Sequence, residues 1–272
     1  MDSGEMDSVE TGLLKGKCAL VTGSVGGLGY AVAEKLAEAG AAVVLNGLAT
    51  AQEAEAARAK LAARYGNPVL FHGADLTQVT AIEDMMRAAA AAFGQVDIVV
   101  NNAVVRHVAP VEHFTTGQWD ESLAVNLSSA FHTIRLALPG MRKSGWGRII
   151  NMSSVYGLSS TADRVGYVTT KTALIGMTRA VAMETAATAI TCNALCPGTL
   201  PTPAILDKIA GIAAKQGIGE AEATRNYLAE RQPSGRFVAM ESVGAMAVFL
   251  CSKAGDDITG AVLPIDGGWT AN

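Results

Sequence analysis

Tyr167 and Lys171 stand four residues apart in the run Tyr-Val-Thr-Thr-Lys, and Ser154 lies thirteen residues before the tyrosine. On a helix that spacing puts phenol and ammonium on one face. A phenol, whose pKa ordinarily lies near 10, is a weak acid–base group at neutral pH unless a neighbouring cation stabilises its phenolate. Ser154 would hold a substrate oxygen beside it. Together the three suit proton transfer to or from an alcohol oxygen while a hydride leaves or arrives on the adjoining carbon. Singly they have plainer readings: a packed aromatic, a surface cation and a strand cap. Their joint occurrence in this order argues against those.

A hydride needs a carrier, and the N-terminal part of the chain holds a candidate nucleotide site. Gly23-Ser24-Val25-Gly26-Gly27-Leu28-Gly29 follows a short apolar run, Cys18 to Thr22, and precedes a helical pattern from Tyr30 to Ala39. Gly23 would make the tight turn, Gly27 would allow close approach, and Gly29, next to Leu28, would let the helix pack near the strand. Amides at the helix start would receive a pyrophosphate. A second strand ends in Asn46-Gly47-Leu48-Ala49-Thr50. An acid there would bind the adenosine ribose of NAD, and an arginine would favour the extra phosphate of NADP. Neither is present, nor is a lysine, so Asn46 is the candidate hydroxyl contact and the balance leans to NAD over NADP. Asp75, followed by Leu76, would accept a bond from the adenine amino group. Asn102, within Asn101-Asn102-Ala103, would line the adenosine side. For each of these an ordinary turn role is the plain alternative.

The elements that must carry these residues alternate along the chain. Strands are expected at 18–22, 42–46, 69–74, 96–101, 148–152, 190–195 and 260–265. Helices are expected at 30–39, 50–65, up to 93, 118–138, 167–186 and 241–251. Short apolar strands between longer helices argue an α/β fold with a buried parallel sheet covered on both faces. A helical region at 203–231 has no neighbouring strand. It falls at the carboxyl side of the sheet, where ligands bind, so residues 201–232 are read as a substrate lid. A surface or oligomer-contact segment is the plain alternative. Residues 1–15 read as a flexible leader and 16–272 as a single domain. With 272 residues, half of them hydrophobic, the chain can build one sizeable core. Charge is balanced, 21 basic against 25 acidic residues, with no basic tract, so no nucleic-acid partner is expected. The acidic N-terminus lacks a secretory apolar core, and no run reads as a membrane span. Cys18, Cys192, Cys196 and Cys251 form no zinc-type pair; they read as structural thiols and no metal site is expected.

These residues together resemble the classical short-chain dehydrogenase/reductase family. The resemblance rests on the turn from Thr22 to Gly29, Asp75, Asn101-Asn102-Ala103, Asn126, Ser154, Tyr167 to Lys171, and Pro197-Gly198. It covers nearly everything after residue 15. It implies a Rossmann-type, doubly wound parallel sheet with a helical insertion before the last strand. Tyr167 would be the general acid–base and Ser154 would position the reacting oxygen. Lys171 would bind the nicotinamide ribose and stabilise the phenolate. Asn126 would bend its helix and hold a water continuing a proton relay toward Lys171. Pro197, Gly198 and Thr202 would contact the cofactor, as would Tyr167 and Lys171 themselves.

Within that family the chain resembles bacterial D-3-hydroxybutyrate dehydrogenases in particular. The similarity includes His107-Val108-Ala109-Pro110-Val111-Glu112, the 203–240 insertion and the ending Asp266-Gly267-Gly268-Trp269-Thr270. Those enzymes use NAD, work as homotetramers and end their second strand in Asn-Gly, which implies the same of this chain, with a cytoplasmic location. Two features depart from them. Val104 stands where glycine is usual. The substrate residues are also altered: Arg106, Tyr156, Arg164 and Lys208 stand where those enzymes carry Gln, His, Lys and Gln, and Thr199 replaces a Trp, while Trp269 is retained. The exchanges preserve positive charge and open space, pointing to a hydroxy or keto acid such as 3-hydroxybutyrate or a larger one. Two alternatives stay open. One is a dehydrogenase or reductase for an uncharged cyclic alcohol, polyol or aryl ketone. The other is a catalytically inactive nucleotide-binding protein on the same fold.

Overall fold

A computed structural model describes residues 12–271. Seven parallel strands form one sheet in the order β3-β2-β1-β4-β5-β6-β7. They are β1 (Cys18–Val21), β2 (Ala42–Asn46), β3 (Val69–His72), β4 (Ile98–Asn101), β5 (Gly147–Met152), β6 (Ile190–Pro197) and β7 (Val262–Ile265). Every residue of β1, β4, β5 and β6 is buried, as continuous apolar strands require when both faces are covered. The helices are α1 (Gly27–Glu38), α2 (Ala51–Tyr65), α3 (Val79–Phe93), α4 (Thr116–Leu123), α5 (Ser129–Ser144), α6 (Val165–Thr185), α7 (Pro203–Gln216), α8 (Glu220–Ala229) and α9 (Met240–Cys251). One core layer joins the sheet to α1 and α9 through Leu36, Leu45, Val243 and Leu250. The other joins it to α3 and α5 through Ile82, Met85, Ile134 and Met141. This is the doubly wound, Rossmann-type arrangement. Strand order reverses between β1 and β4, which opens a crevice at their carboxyl ends.

Several expected boundaries shift, and three of them have a clear local reason. The helix expected over 118–138 is two helices, α4 and α5, joined by a π-helical turn at Ala124–Ser128. It also runs on through Pro139 to Ser144. Pro139 removes one helical donor, yet Ile134, Ala137 and Met141 continue the buried stripe and hold the helix until Gly145 takes a left-handed φ of 72°. Strand β3 stops at His72, short of Ala74. Beyond the ladder the Asn46 side chain takes over, donating to the carbonyls of His72 (3.0 Å) and Ala74 (3.1 Å). The leader expected over 1–15 lies outside the described residues up to residue 11. At its other end Leu14 is buried, and its amide donates to the Ala39 carbonyl at 2.8 Å, so the packed chain begins before residue 16.

A buried polar chain crosses the sheet beneath the crevice. Thr133 of α5 donates to Asn101 of β4 (2.6 Å), Asn101 donates to Asn151 of β5 (2.9 Å), and Asn151 donates to Thr178 of α6 (2.9 Å). All four residues are buried. Replacing Asn151 with Ala would leave Asn101 and Thr178 each short of a partner. Such a substitution is expected to cost about 1–3 kcal/mol per group left unpaired. Denaturant unfolding of Asn151→Ala checks this; a loss below about 0.5 kcal/mol contradicts it.

The four cysteines are free and buried, as their reading as structural thiols expects. Burial pushes the thiols of Cys18, Cys192 and Cys251 up to about 12. Among the described residues no group of three or more His, Cys, Asp or Glu is arranged to hold a metal, and no helix is long and apolar enough to cross a membrane.

The insertion consists of α7 and α8. They pack on each other through a small apolar cluster of their own, Ile209, Ala213, Ala223, Tyr227 and Leu228.

Candidate active site

A cleft of about 530 Å³ lies at the carboxyl edge of the sheet. Its floor at one end is the glycine turn between β1 and α1. Gly23 has a left-handed φ of 62°, and a Cβ there would meet Ala103 Cα at 2.8 Å. A Cβ on Gly29 would meet the Gly23 carbonyl oxygen at 2.2 Å, so only glycine lets the helix start this close to the strand. Gly27, with a φ of 57°, faces open space, and Leu28 lines the cleft beside it.

Two asparagines expected to face a ligand are committed to the backbone. Asn102 donates its side-chain amide to the carbonyls of Thr22 and Gly23, both at 2.9 Å. The Asn46 oxygen accepts from the Gly23 amide at 3.4 Å, while its nitrogen binds the two carbonyls beyond β3. Both residues line the cleft, but their carboxamides hold the turn in shape. Among the described residues the Asn46 oxygen accepts only from the Gly23 amide, which leaves it a second acceptor site for the expected hydroxyl contact. Asp75 differs. One carboxylate oxygen accepts from Thr77 through the amide (2.9 Å) and the hydroxyl (2.8 Å), and the other oxygen carries no bond among the described residues. Leu76 is buried beside it, and Leu48 stands 78% exposed on the rim.

Ser154, Tyr167 and Lys171 line the other end. Ser154 leaves β5 in extended conformation and its hydroxyl accepts from the Tyr156 amide at 3.2 Å. Tyr167 and Lys171 are buried on α6, one turn apart. The Lys171 ammonium donates to the Met152 carbonyl at 2.5 Å and lies 5.7 Å from the centre of the Tyr167 ring. Its helix is pinned there because Ser153 donates to the Lys171 carbonyl at 2.8 Å. Burial, with the Arg106 charge adding to it, lowers the Lys171 pKa to about 7. Asn126 sits in the π-helical turn between α4 and α5, and its carboxamide is tied to Val105, accepting from the amide (2.8 Å) and donating to the carbonyl (3.0 Å). It also donates to Thr170 at 3.3 Å, so it joins the loop after β4 to α6.

Of the residues expected to meet substrate, Arg106 enters the cleft, with its guanidinium carbon 5.5 Å from the centre of the Tyr167 ring. Tyr156 meets the edge of Tyr167 at 6.4 Å between centroids, and Trp269 meets Tyr156 at 5.5 Å. These aromatics form a connected cluster of which Tyr167 lines the cleft. Three others lie outside the cleft lining. Arg164 begins α6 and lines a separate depression with Val111 and Val168. Lys208 is exposed on α7, its ammonium 5.6 Å from the Tyr227 ring within the insertion. Thr199 is buried outside the cleft lining, and its amide donates to Gln232. A helix N-cap, an exposed helix face and a backbone bond fix Arg164, Lys208 and Thr199 respectively. Pro197, Gly198 and Thr202 do line the cleft.

Several supporting residues escaped the sequence reading. Gln232 is fully buried and bridges the Thr199 amide to the Arg236 carbonyl. Asp266 folds the final turn by accepting from the amides of Gly268 (2.9 Å) and Thr270 (2.8 Å) and from the Thr270 hydroxyl (2.7 Å). Burial alone would raise its pKa, but those bonds hold it below the ordinary aspartate value. The Asp-Gly-Gly run carried a turn signal; nothing local marked Gln232. Val104 and Glu121 also line the cleft, with Glu121 paired to His107 at 2.7 Å.

Comparison with known proteins agrees with this geometry. A family model described as enoyl-(acyl carrier protein) reductase matches residues 23–270. A D-beta-hydroxybutyrate dehydrogenase of Cupriavidus necator is 47% identical over 260 residues, covering 95% of this chain and 100% of the relative. A second protein of that name, from Rhizobium meliloti, is 42% identical over 255 residues, covering 94% and 99%. The crystal structure of L-sorbose reductase from Gluconobacter frateurii complexed with NADPH and L-sorbose superposes with a TM-score of 0.90 at 27% identity, covering 95% of this chain and 98% of that one.

Proposed function

Because the chain belongs to the short-chain dehydrogenase/reductase family, as an oxidoreductase that interconverts secondary alcohols and ketones, we propose that its substrate is D-3-hydroxybutyrate or a related, larger hydroxy acid and that its cofactor is NAD. The observation that carries the substrate class is Arg106, a cation at the reacting end of the cleft with no carboxylate partner among the described residues. Relatives named for D-beta-hydroxybutyrate support the choice.

The cleft suits a dinucleotide. Gly27 faces open space at the start of α1, and Asp75 keeps one oxygen free for an adenine amino group. Gly23, Gly27, Leu28 and Gly29 would hold the pyrophosphate, and Lys171 with Tyr167 the nicotinamide ribose. When bound, the nicotinamide ring accepts or supplies the hydride. The protein's own residues manage the proton. In oxidation the Tyr167 phenolate takes the alcohol proton, with the Ser154 hydroxyl holding the same oxygen. The Lys171 ammonium favours the phenolate by its charge. Arg106 holds the carboxylate and so fixes which face of the carbon is presented. In reduction Tyr167 returns the proton. Residues 201–232 act as the lid, with Thr202 and Pro203 on the cleft edge. Asn126 serves here by fixing Val105 next to Arg106.

NAD is preferred over NADP because the rim beyond β2 offers Leu48 rather than a cation. The same reading carries a cytoplasmic homotetramer, for which exposed Phe131, Met183 and Phe249 supply apolar contact surface. Turnover of D-3-hydroxybutyrate with NAD tests the proposal, with NADP giving a kcat/KM at least about tenfold lower. Arg106→Gln should lower kcat/KM for carboxylated substrates by about 10- to 100-fold, as expected for one lost charge-assisted contact. Better turnover of uncharged polyols and cyclic alcohols would favour a neutral substrate instead.

A further inference from the structure

Two cations flank one phenol. The Arg106 guanidinium lies 5.5 Å and the Lys171 ammonium 5.7 Å from the centre of the Tyr167 ring. Arg106 makes no ion pair among the described residues. Glu121, the carboxylate that lines the same cleft, is taken by His107 at 2.7 Å. The site therefore carries an excess of positive charge beside its acid–base residue. An unneutralised guanidinium facing a buried ammonium disfavours the charged form of the lysine.

We propose that the substrate's own carboxylate completes the acid–base machinery by neutralising the guanidinium that faces Lys171 and Tyr167. The proposal rests on the reading that the substrate is a hydroxy acid. On binding, the carboxylate pairs with Arg106, and the Lys171 amine gains a proton from solvent. That proton restores on Lys171 the positive charge beside Tyr167 that the carboxylate cancels at Arg106. An uncharged alcohol of the same shape leaves the lysine as it was. Charge on the substrate thus selects for turnover as well as for affinity.

The charged and titratable groups that face Lys171 are few. Arg106 approaches from the loop after β4, Tyr167 lies on α6 itself, and Cys196 lies on β6. From β5 the contact is the neutral Met152 carbonyl. Burial is the larger cause of the lowered Lys171 pKa, Arg106 adds to it, and Cys196 opposes both. With a free-state value of about 7, the amine is mostly neutral above that pH, so neutralising Arg106 there draws in a proton.

Calorimetric titration of acetoacetate into the complex with oxidised NAD tests this. At pH 7.5, in two buffers of different ionisation enthalpy, neither acetoacetate nor its methyl ester can be reduced. Acetoacetate binding should take up a fraction of a proton and ester binding none. Arg106→Gln should abolish the uptake and weaken acetoacetate binding by about 10- to 100-fold. Lys171→Arg, permanently charged, should also bind without uptake, whereas His107→Asn should retain it. Arg106-dependent binding without uptake, uptake that persists in Lys171→Arg, or uptake lost in His107→Asn overturns the coupling and leaves the hydroxy-acid reading standing. No acetoacetate binding, or equal binding by Arg106→Gln, removes that reading too.

Discussion

Tyr167→Phe is expected to lower kcat/KM by about 10²- to 10⁴-fold, the usual contribution of a positioned acid–base group. The substitution removes one oxygen and little else. Phenylalanine keeps the ring edge against Tyr156 and the faces offered to Arg106 and Lys171. Cofactor affinity should fall by about tenfold or less, the loss of one ribose contact, since the glycine cradle and Asp75 at the other end of the cleft are untouched. Steady-state kinetics, paired with a cofactor binding titration and a thermal melt, separates loss of chemistry from loss of fold. Activity within a few-fold of the parent enzyme would remove Tyr167 from the proton path.

The largest expected effect on stability is at Arg148, far from the cleft. Its side chain is 1% exposed and donates to the carbonyls of Leu250 (2.9 Å), Gly147 (2.9 Å) and Ala189 (3.0 Å), and to Asp256. The guanidinium also lies 4.4 Å from the centre of the Trp146 ring. One residue thus joins β5, the start of β6 and the end of α9. Methionine would fill much of the volume but satisfy none of the carbonyls. Breaking a buried pair typically costs about 3–5 kcal/mol. The Asp256 side chain is 53% exposed and regains water, so the loss for Arg148→Met should be about 2–4 kcal/mol. Asp256→Asn should cost about 1 kcal/mol or less, because the three carbonyl bonds remain. Chemical unfolding of both variants checks the order; equal losses would mean the carboxylate dominates.

What could be read from the chain was local or periodic. Tyr167 and Lys171 are one helical turn apart, and the apolar runs Cys18–Val21 of β1 and 98–100 of β4 have no polar residue, so short stretches specified both. The glycine turn was legible because left-handed backbone and close approach exclude other residues. Asn46 and Asn102 were harder. A carboxamide at a strand end looks the same whether it meets a ribose or a carbonyl, and only the fold brings the backbone of the glycine turn against them. Arg164 and Lys208 were expected from matching positions in the family, but a matching position does not fix where a side chain points. Arg164 starts a helix and Lys208 lies over Tyr227. Gln232 shows a further limit: its partner Thr199 is 33 residues away in sequence, beyond the reach of any local signal.

That bond between Gln232 and Thr199 also bears on how the molecule opens. Val238 donates to the Thr199 carbonyl at 2.9 Å, so the chain leaves the sheet at Thr199 and returns to the same spot. The two helices between have their own small core. They therefore form a cooperative unit stitched shut at its base, whose melting need not disturb the strands. Because its ends stay together, the unit can come apart and re-form without again bringing distant ends together, the entropic step that slows long-range closure. Substrate exchange can then draw on a local unfolding equilibrium, while the sheet that aligns Ser154, Tyr167 and Lys171 stays intact.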